Sequence, residues 1–476
     1  MLLVCIGVFT VLILSILNVI KISDKKWLAL WIAILPHSLL IILYILKSQV
    51  TKVNSNLLVS IISSSFLLFL TLFCVIKFNI LPTTDKLTKD KRLNILVGGR
   101  KLLFTAIYAF TIQTIIYMIV FTNKVKLPFE MYWIIADLII NISFIVLLVL
   151  NGLWRIVILS RRLNIIKKVI YVCLMWIPVV NFFVILLLCH AVAVEYDHEL
   201  YKINQNNCRV ETQLCKTKYP LVMLHGVGFR DIKYLNYWGR IPKELIKNGA
   251  TVYYGHQEAW GTIEANAEDV KKKILEIVNS TGVEKVNIIA HSKGGLDARY
   301  MISKLEMEDY VASLTTMSTP HRGSFIIDFA YKLPDKLVGL IGRMINRYFK
   351  IAGDKNPDFE AASKQFLTEN AEKFNEEVAN SDKVYYQSYA TAMSHAHSDY
   401  ILFVPFIIGR FAKEENDGLV SPNSAHWGEF KGVIKTQSFR GISHGDIIDL
   451  RRNDYKGFDA REFYVNLVSD LKKRGF

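Results

Sequence analysis

The sequence predicts an α-helical transmembrane bundle of about six spans, followed by an α/β domain with a mostly parallel sheet. Three observations predict this organisation. Long apolar runs fill the chain before residue 195, strand and helix patterns alternate after residue 217, and segment 286–295 has the pattern of a buried strand that turns through Ser292 into a helix. With 476 residues and 52% hydrophobic content, the chain is long and apolar enough for both parts.

The apolar runs are each about the 20 residues that a helix needs to cross a bilayer. The predicted spans are 2–22, 27–46, 57–81, 102–121, 132–150 and 169–194. The alternative is a soluble bundle of buried helices. Because these runs contain almost no acidic residues, such a bundle would have little surface to face water. The sequence therefore favours a transmembrane domain over residues 1–195.

The net charge of +15 arises almost entirely in this first part of the chain. Residues 1–190 hold 19 lysines and arginines against 5 acidic residues, whereas the rest of the chain holds 38 against 37. A nucleic-acid-binding protein concentrates its basic residues on a binding face. The charge distribution thus predicts no nucleic-acid partner and a membrane-embedded protein instead.

The basic residues are also unevenly divided among the predicted loops. The loops after the first, third and fifth spans carry 15 lysines and arginines, and the loops after the second and fourth carry 4. Loops rich in lysine and arginine face the cytoplasm. With six spans, this bias places the chain after residue 195 outside the cytoplasm, whereas one span more or fewer would reverse its side.

The part after the spans is predicted as a short polar tether at 196–216 and an α/β domain at 217–476. Predicted strands lie at 219–224, 251–254, 285–290, 311–317, 384–390 and 432–439, and helices at 238–247, 263–278, 294–305 and 461–473. Strands that alternate with helices indicate a parallel sheet. Cys208 and Cys215 either pair as a disulfide or remain two free thiols.

Residues 324–382 interrupt this alternation and form a predicted lid-like insertion. Between residues 336 and 350, apolar side chains recur on one helical face and basic side chains on the other. Such a helix can lie on a membrane surface or cover an active site. The alternative is an ordinary helix that packs against the domain.

The turn at Ser292 carries the strongest chemical signal. Small residues two positions before and after it, Ala290 and Gly294, permit the sharp strand-to-helix turn that presents the nucleophile in α/β-hydrolases. Asp417 follows in an Asn-Asp-Gly turn, and His444 comes last in a loop-like Gly-Ile-Ser-His-Gly segment. This order predicts Ser292 as nucleophile, His444 as base and Asp417 as the carboxylate that orients it. The rival carboxylates are Asp399, Asp446 and Asp449.

Acyl transfer also needs donors for the oxyanion that forms on the substrate. One is the backbone N–H after the nucleophile, which belongs to Lys293. A second is expected from the loop after the first predicted strand, where Val227 follows His225 and Gly226.

Residues 217–476 resemble the bacterial triacylglycerol lipases of the α/β-hydrolase superfamily. The matching segments are VMLHGVGF at 222–229, AHSKGG at 290–295, TPHRGS at 319–324, NDGLV at 416–420 and HGD at 444–446. The resemblance implies an α/β-hydrolase domain and a triad of Ser292, Asp417 and His444. It also implies an oxyanion hole formed by the amides of Val227 and Lys293, and chemistry that requires no cofactor.

The chain departs from this family in three respects. Ala290 stands where the pentapeptide usually has glycine. Many of these lipases hold a structural calcium through two aspartates, and the resemblance makes Asp446, with Asp399 as a looser match, the candidate ligands. The six predicted spans are not part of the secreted lipase pattern.

The expected function is that of a membrane-anchored lipase or esterase acting on acylglycerol-like lipid esters. An acyltransferase that passes the acyl group to an alcohol would use the same triad. From another class, the spans could form a transporter or sensor with a regulatory hydrolase-like domain. Asp137, inside the fifth predicted span, is the feature that favours this third hypothesis.

Overall fold

The computed structural model describes residues 91–122, 130–163, 165–209, 211–230, 237–436, 439–452 and 457–476, with isolated residues between 37 and 90. The chain divides into two compact units, Met1–Lys202 and Ile203–Phe476.

The first unit contains four described helices. They are α1 Lys91–Phe121, α2 Met131–Leu159, α3 Ile165–Leu174 and α4 Val180–Arg209, the last of which crosses the unit boundary. Among the described residues, α1, α2 and α4 are long and apolar enough to cross a membrane. Residues 196–209 of the predicted tether are helical.

The described residues give three candidate spans where the sequence predicted six. The predicted spans at 2–22 and 27–46 lie outside the described residues except for His37, and seven helical residues are described in the third. The prediction of one continuous span at 169–194 is wrong. The chain turns between Leu174 and Val180, because Pro178 lacks the N–H that a continuous helix needs there.

Asp137 lies inside α2, with 4% of its surface exposed. Its Oδ2 atom is 2.6 Å from His37 Nδ1 and accepts a hydrogen bond from the Tyr117 hydroxyl at 2.7 Å. Asn141, one turn later, donates to the backbone carbonyl of Asp137. These bonds compensate for the loss of water around a buried polar group.

The second unit is built on a six-stranded sheet with the strand order β2-β1-β3-β4-β5-β6, in which all neighbours are parallel. The strands are β1 Leu221–Leu224, β2 Val252–Tyr254, β3 Val286–His291, β4 Val311–Met317, β5 Tyr385–Thr391 and β6 Glu429–Ile434. All residues of β1, β3 and β4 are buried, as expected for parallel strands covered on both faces. The predicted parallel sheet is confirmed.

Helices cover both faces of the sheet. They are α5 Ile241–Lys247, α6 Ile263–Thr281, α7 Lys293–Lys304, α8 Phe325–Ala330, α9 Asp335–Ile351, α10 Phe359–Lys364, α11 Thr368–Glu377, α12 Phe403–Arg410, α13 Pro422–Ala425 and α14 Ala460–Lys473. One apolar core packs α5 and α14 against the sheet, and a second packs α6 and α7. Cys208 is exposed and Cys215 buried, and both are free thiols.

The predicted last strand, 432–439, is wrong in position. It begins three residues earlier, at Glu429, and ends at Ile434. Strand β6 is an edge strand. Among the described strands it pairs only with β5, and its side chains are half-buried or exposed. Hydrophobicity was therefore a poor guide to where it begins.

The insertion between β4 and β5 contains α8, α9, α10 and α11. The predicted amphipathic helix is α9. Its apolar face remains largely open, with exposed fractions of 67% for Met344, 66% for Tyr348 and 80% for Ile351.

Candidate active site

Ser292 lies at the turn between β3 and α7, at the carboxyl edge of the sheet. Its backbone has φ 52° and ψ −129°, a strained conformation for a residue with a side chain. The bond from its N–H to the carbonyl of Met317 holds this turn against β4 at 3.0 Å. A Cβ atom at Gly294 would lie 2.7 Å from the carbonyl oxygen of His225, so the close approach requires glycine.

Asp417 and His444 are brought together by the loops that follow β5 and β6. His444 Nδ1 lies 2.9 Å from Asp417 Oδ2, and the His444 amide donates to the Asp417 backbone carbonyl at 2.9 Å. Asp417 Oδ1 accepts from the amides of Leu419 and Val420 at 3.0 and 2.9 Å. The Thr391 hydroxyl donates to Oδ2 at 3.1 Å. The carboxylate is thus fixed from both sides.

The charge of Asp417 is maintained although its side chain is fully buried. Burial alone would raise the pKa of Asp417. The interaction with His444 and the amides of Val420 and Leu419 outweigh burial, and the pKa lies below its ordinary value. The carboxylate therefore remains ionised at neutral pH and can hold a proton on the facing imidazole nitrogen.

The His444 ring also lies close to the serine turn. Its centroid is 4.4 Å from that of His291, the residue immediately before Ser292. Burial, with His444 as a further cause, lowers the pKa of His291 well below its ordinary value. His291 is therefore neutral, and its Nδ1 lies 2.6 Å from the Tyr237 hydroxyl. Neither His291 nor Tyr237 was predicted from the sequence, and the position of His291 directly before Ser292 was the available signal.

The two predicted oxyanion donors both belong to segments next to Ser292. Lys293 begins α7, and Val227 lines the same cavity as Ser292. A Cβ atom at Gly226 would come within 2.8 Å of the Ser292 Cβ, so this loop approaches the serine as closely as a glycine permits. The buried Lys293 ammonium pairs with Asp297 Oδ1 at 2.5 Å and anchors the first turn of α7.

A cavity of about 310 Å³ opens beside Ser292. Most of its lining comes from the insertion, including Ile327, Val338, Ile341, Phe359 and Phe366. Leu419 and Val420, which fix Asp417 through their amides, also line the cavity. An acyl chain is the kind of group that such an apolar wall accommodates.

Each of the three rival carboxylates pairs with an arginine. Asp449 pairs with Arg240, with 2.7 Å between Oδ1 and Nη2. Asp446 pairs with Arg440 at 2.8 Å, and Asp399 pairs with Arg451.

The predicted calcium ligands Asp399 and Asp446 do not fit a calcium site, because their oxygens accept bonds from arginine, hydroxyl and amide donors. No cluster of three or more metal-binding side chains occurs within the described ranges.

A parallel α/β sheet that presents a serine at a strained turn beside an apolar cavity defines an α/β-hydrolase. The chain matches the family model described as alpha/beta hydrolase fold over residues 219–404. It is 32% identical over 272 residues to Triacylglycerol lipase 2 of Saccharomyces cerevisiae, covering 52% of this chain and 78% of the relative. A triacylglycerol lipase of Vibrio cholerae is 31% identical over 241 residues, covering 45% and 76%.

Among solved structures, the mature form of a Bacillus licheniformis lipase matches with a TM-score of 0.40 and 22% identity, covering 53% of this chain and 92% of that one. By its similarity to the curated lipases, the chain belongs to the triacylglycerol lipase family of α/β-hydrolases. It is a carboxylic ester hydrolase.

Proposed function

We propose that this chain is a membrane-anchored serine lipase that hydrolyses acylglycerol-like lipid esters through Ser292, Asp417 and His444. The observation that carries the proposal is the position of Ser292. It lies at a strained turn on the wall of an apolar cavity, and the ring of the preceding residue, His291, is 4.4 Å from that of His444, which pairs with Asp417.

In the proposed reaction, Ser292 Oγ attacks the ester carbonyl while His444 Nε2 takes its proton. The Asp417 carboxylate accepts the hydrogen bond from Nδ1–H and stabilises the imidazolium. The amides of Val227 and Lys293 stabilise the oxyanion. The protonated His444 then gives the proton to the leaving alcohol, and the acyl group stays on Ser292.

Water then hydrolyses the acyl-enzyme, and His444 again acts first as base and then as acid. His444 removes a proton from water, and the resulting hydroxide attacks the acyl carbonyl. Collapse of the second tetrahedral intermediate releases the carboxylic acid, and the proton returns to Ser292 Oγ.

The insertion supports a lipid ester as substrate. It supplies most of the apolar cavity wall beside Ser292, while the outer face of α9 exposes Met344, Tyr348 and Ile351. An exposed apolar face with basic neighbours favours adsorption to a lipid surface. In the proposal, the insertion acts as the lid over the site and as its contact with lipid.

The three long apolar helices α1, α2 and α4 support membrane anchoring. The uneven loop charges support an extracytoplasmic catalytic domain. Such a location would give the enzyme the lipid of the outer surface as its substrate.

The test compares membranes carrying the full chain with membranes carrying Ser292→Ala, using emulsified triacylglycerol as substrate. Loss of a triad serine costs about a millionfold in kcat, so we expect no measurable hydrolysis. Ser280→Ala, on an exposed position of α6, is the matched control and should hydrolyse at the wild-type rate. Activity retained in Ser292→Ala would refute the proposal.

A further inference from the structure

Two buried carboxylates hold the residue that precedes His444. Ser443 donates its hydroxyl to Asp399 Oδ2 at 2.9 Å and its backbone N–H to Asp446 Oδ2 at 3.0 Å. Asp399 and Asp446 are each 2% exposed, and Ser443 is fully buried. Because Ser443 is joined to His444 by a peptide bond, these carboxylates fix the backbone from which the imidazole side chain extends.

Two arginines neutralise these carboxylates. Arg440 Nη2 lies 2.8 Å from Asp446 Oδ2, and Arg451 Nη2 bonds to Asp399 Oδ1. An ionised carboxylate in a buried position is costly unless it is paired. Two guanidinium groups bring the same total charge, +2, as one calcium ion.

Arg440 also ties the His444 loop to the segment after β5. Its guanidinium donates to the carbonyl of Ser398, and its own carbonyl accepts from the Ser398 hydroxyl. Two residues on, the Ile442 amide donates to the carbonyl of Ala392 at 2.8 Å. The contacts of Arg440 therefore converge on the stretch that leads to His444.

The donors around Asp399 and Asp446 leave poor conditions for calcium. Calcium takes six to eight oxygen ligands whose lone pairs point at the ion. Here Asp399 Oδ1 accepts from the amides of Ile401 and Leu402 as well as from Arg451. A cation at the same oxygens would face the positive ends of these N–H groups.

We propose that Arg440 and Arg451 are positioning residues that replace a structural calcium in this chain. They hold Asp446 and Asp399, which hold Ser443, and so they keep His444 against Asp417. This inference rests on the proposed function, since it assigns the loop its importance through His444. Its consequence is an ester hydrolase that needs no calcium.

The first experiment uses the wild-type full chain in detergent micelles. Hydrolysis of a soluble nitrophenyl ester and the melting temperature are measured with a calcium chelator and with millimolar calcium. We expect both quantities to be the same in the two conditions, because a ligand that does not bind the folded state does not stabilise it. Activity that is lost with the chelator and restored by calcium would overturn the inference.

The second experiment compares Arg440→Gln and Arg451→Gln with Arg440→Lys and Arg451→Lys. A misplaced imidazole costs about a hundredfold in rate. We therefore expect each glutamine variant to lose kcat to about that extent with little change in KM, and each lysine variant to recover part of it. Arg410→Gln, at an exposed position of α12, is the matched control. Wild-type kcat in both glutamine variants would overturn the inference.

Labelling of Ser292 by a fluorophosphonate gives an independent readout, since it also needs the base. It should slow in parallel with kcat in the glutamine variants. Ser292→Ala is measured beside them. Activity retained in Ser292→Ala refutes the proposed function, whereas an inactive Ser292→Ala with a calcium-dependent wild type refutes only the role of the arginines.

Discussion

Replacement of Asp417 by asparagine is the sharpest test of how His444 is oriented. Oδ1 of Asp417 accepts two amides, from Leu419 and Val420, and Oδ2 accepts from Thr391 and His444. An asparagine has one oxygen and one NH₂ group. The two amides require the oxygen on their side, so the NH₂ group must face the imidazole.

An NH₂ group facing His444 Nδ1 inverts the polarity of that contact. Nδ1 must then accept, and the ring proton moves to Nε2. In this tautomer His444 cannot take the proton from Ser292. The wrong tautomer costs about ten-thousandfold in kcat, or about 5.4 kcal/mol of transition-state stabilisation.

The assay is the initial rate of nitrophenyl ester hydrolysis by purified full-length Asp417→Asn, with its melting temperature measured in parallel. Asp382→Asn changes an exposed aspartate in the same way and should keep the wild-type rate. A folded Asp417→Asn whose kcat is within about tenfold of wild type would refute the orientation argument.

Three further predictions concern the turn, the buried histidines and the insertion. Gly294→Ala places a methyl group against two carbonyl oxygens at the end of β1, 2.7 and 2.9 Å away, and should destabilise the fold by about 1–3 kcal/mol in chemical denaturation; an unchanged midpoint would contradict it. Burial lowers the pKa of His291 and His321, so below about pH 6.5 the unfolded chain binds more protons than the folded chain. As the pH falls below that value, the free energy of unfolding should decrease by up to about 1.4 kcal/mol per pH unit for each residue. A melting temperature that is constant between about pH 7 and 5 would argue against neutral histidines. Met344→Glu on the open face of α9 should lower the rate of hydrolysis of emulsified ester by about tenfold and leave the rate with a soluble ester unchanged. Arg343→Gln, on the polar face, is the control. Equal effects of Met344→Glu on both substrates would exclude a role of α9 in adsorption.

Local pattern predicted the elements that are buried on all sides. The predicted strand at 311–317 coincides with β4, and the serine turn lies between β3 and α7 as expected. These segments combine long apolar runs with small residues at fixed spacing, so their structure follows from neighbouring residues. The edge strand β6 and the break at Pro178 were misjudged, because the first is only partly covered and the second is masked by apolar neighbours.

Local sequence pattern could not establish which of four aspartates pairs with His444. Chain order and the Asn-Asp-Gly turn favoured Asp417, but Asp399, Asp446 and Asp449 remained rivals because each also lies in a predicted loop. Asp417 lies 27 positions from His444, and the distance of 2.9 Å between them depends on how two loops pack. Likewise, Arg451 lies 52 positions from Asp399. Pairing across such separations is a property of the assembled sheet.

The sequence by itself predicted the apolar character of α1, α2 and α4, the parallel α/β domain, the serine turn and the order of the candidate catalytic residues. These features follow from periodicity, side-chain size and charge along short segments. Only the tertiary structure decided which carboxylate faces His444. It also showed that arginines pair with the predicted calcium ligands Asp446 and Asp399, and that the insertion lines the cavity beside Ser292. Those outcomes depend on which distant loops meet, and burial then selects the charge pairs that can remain there.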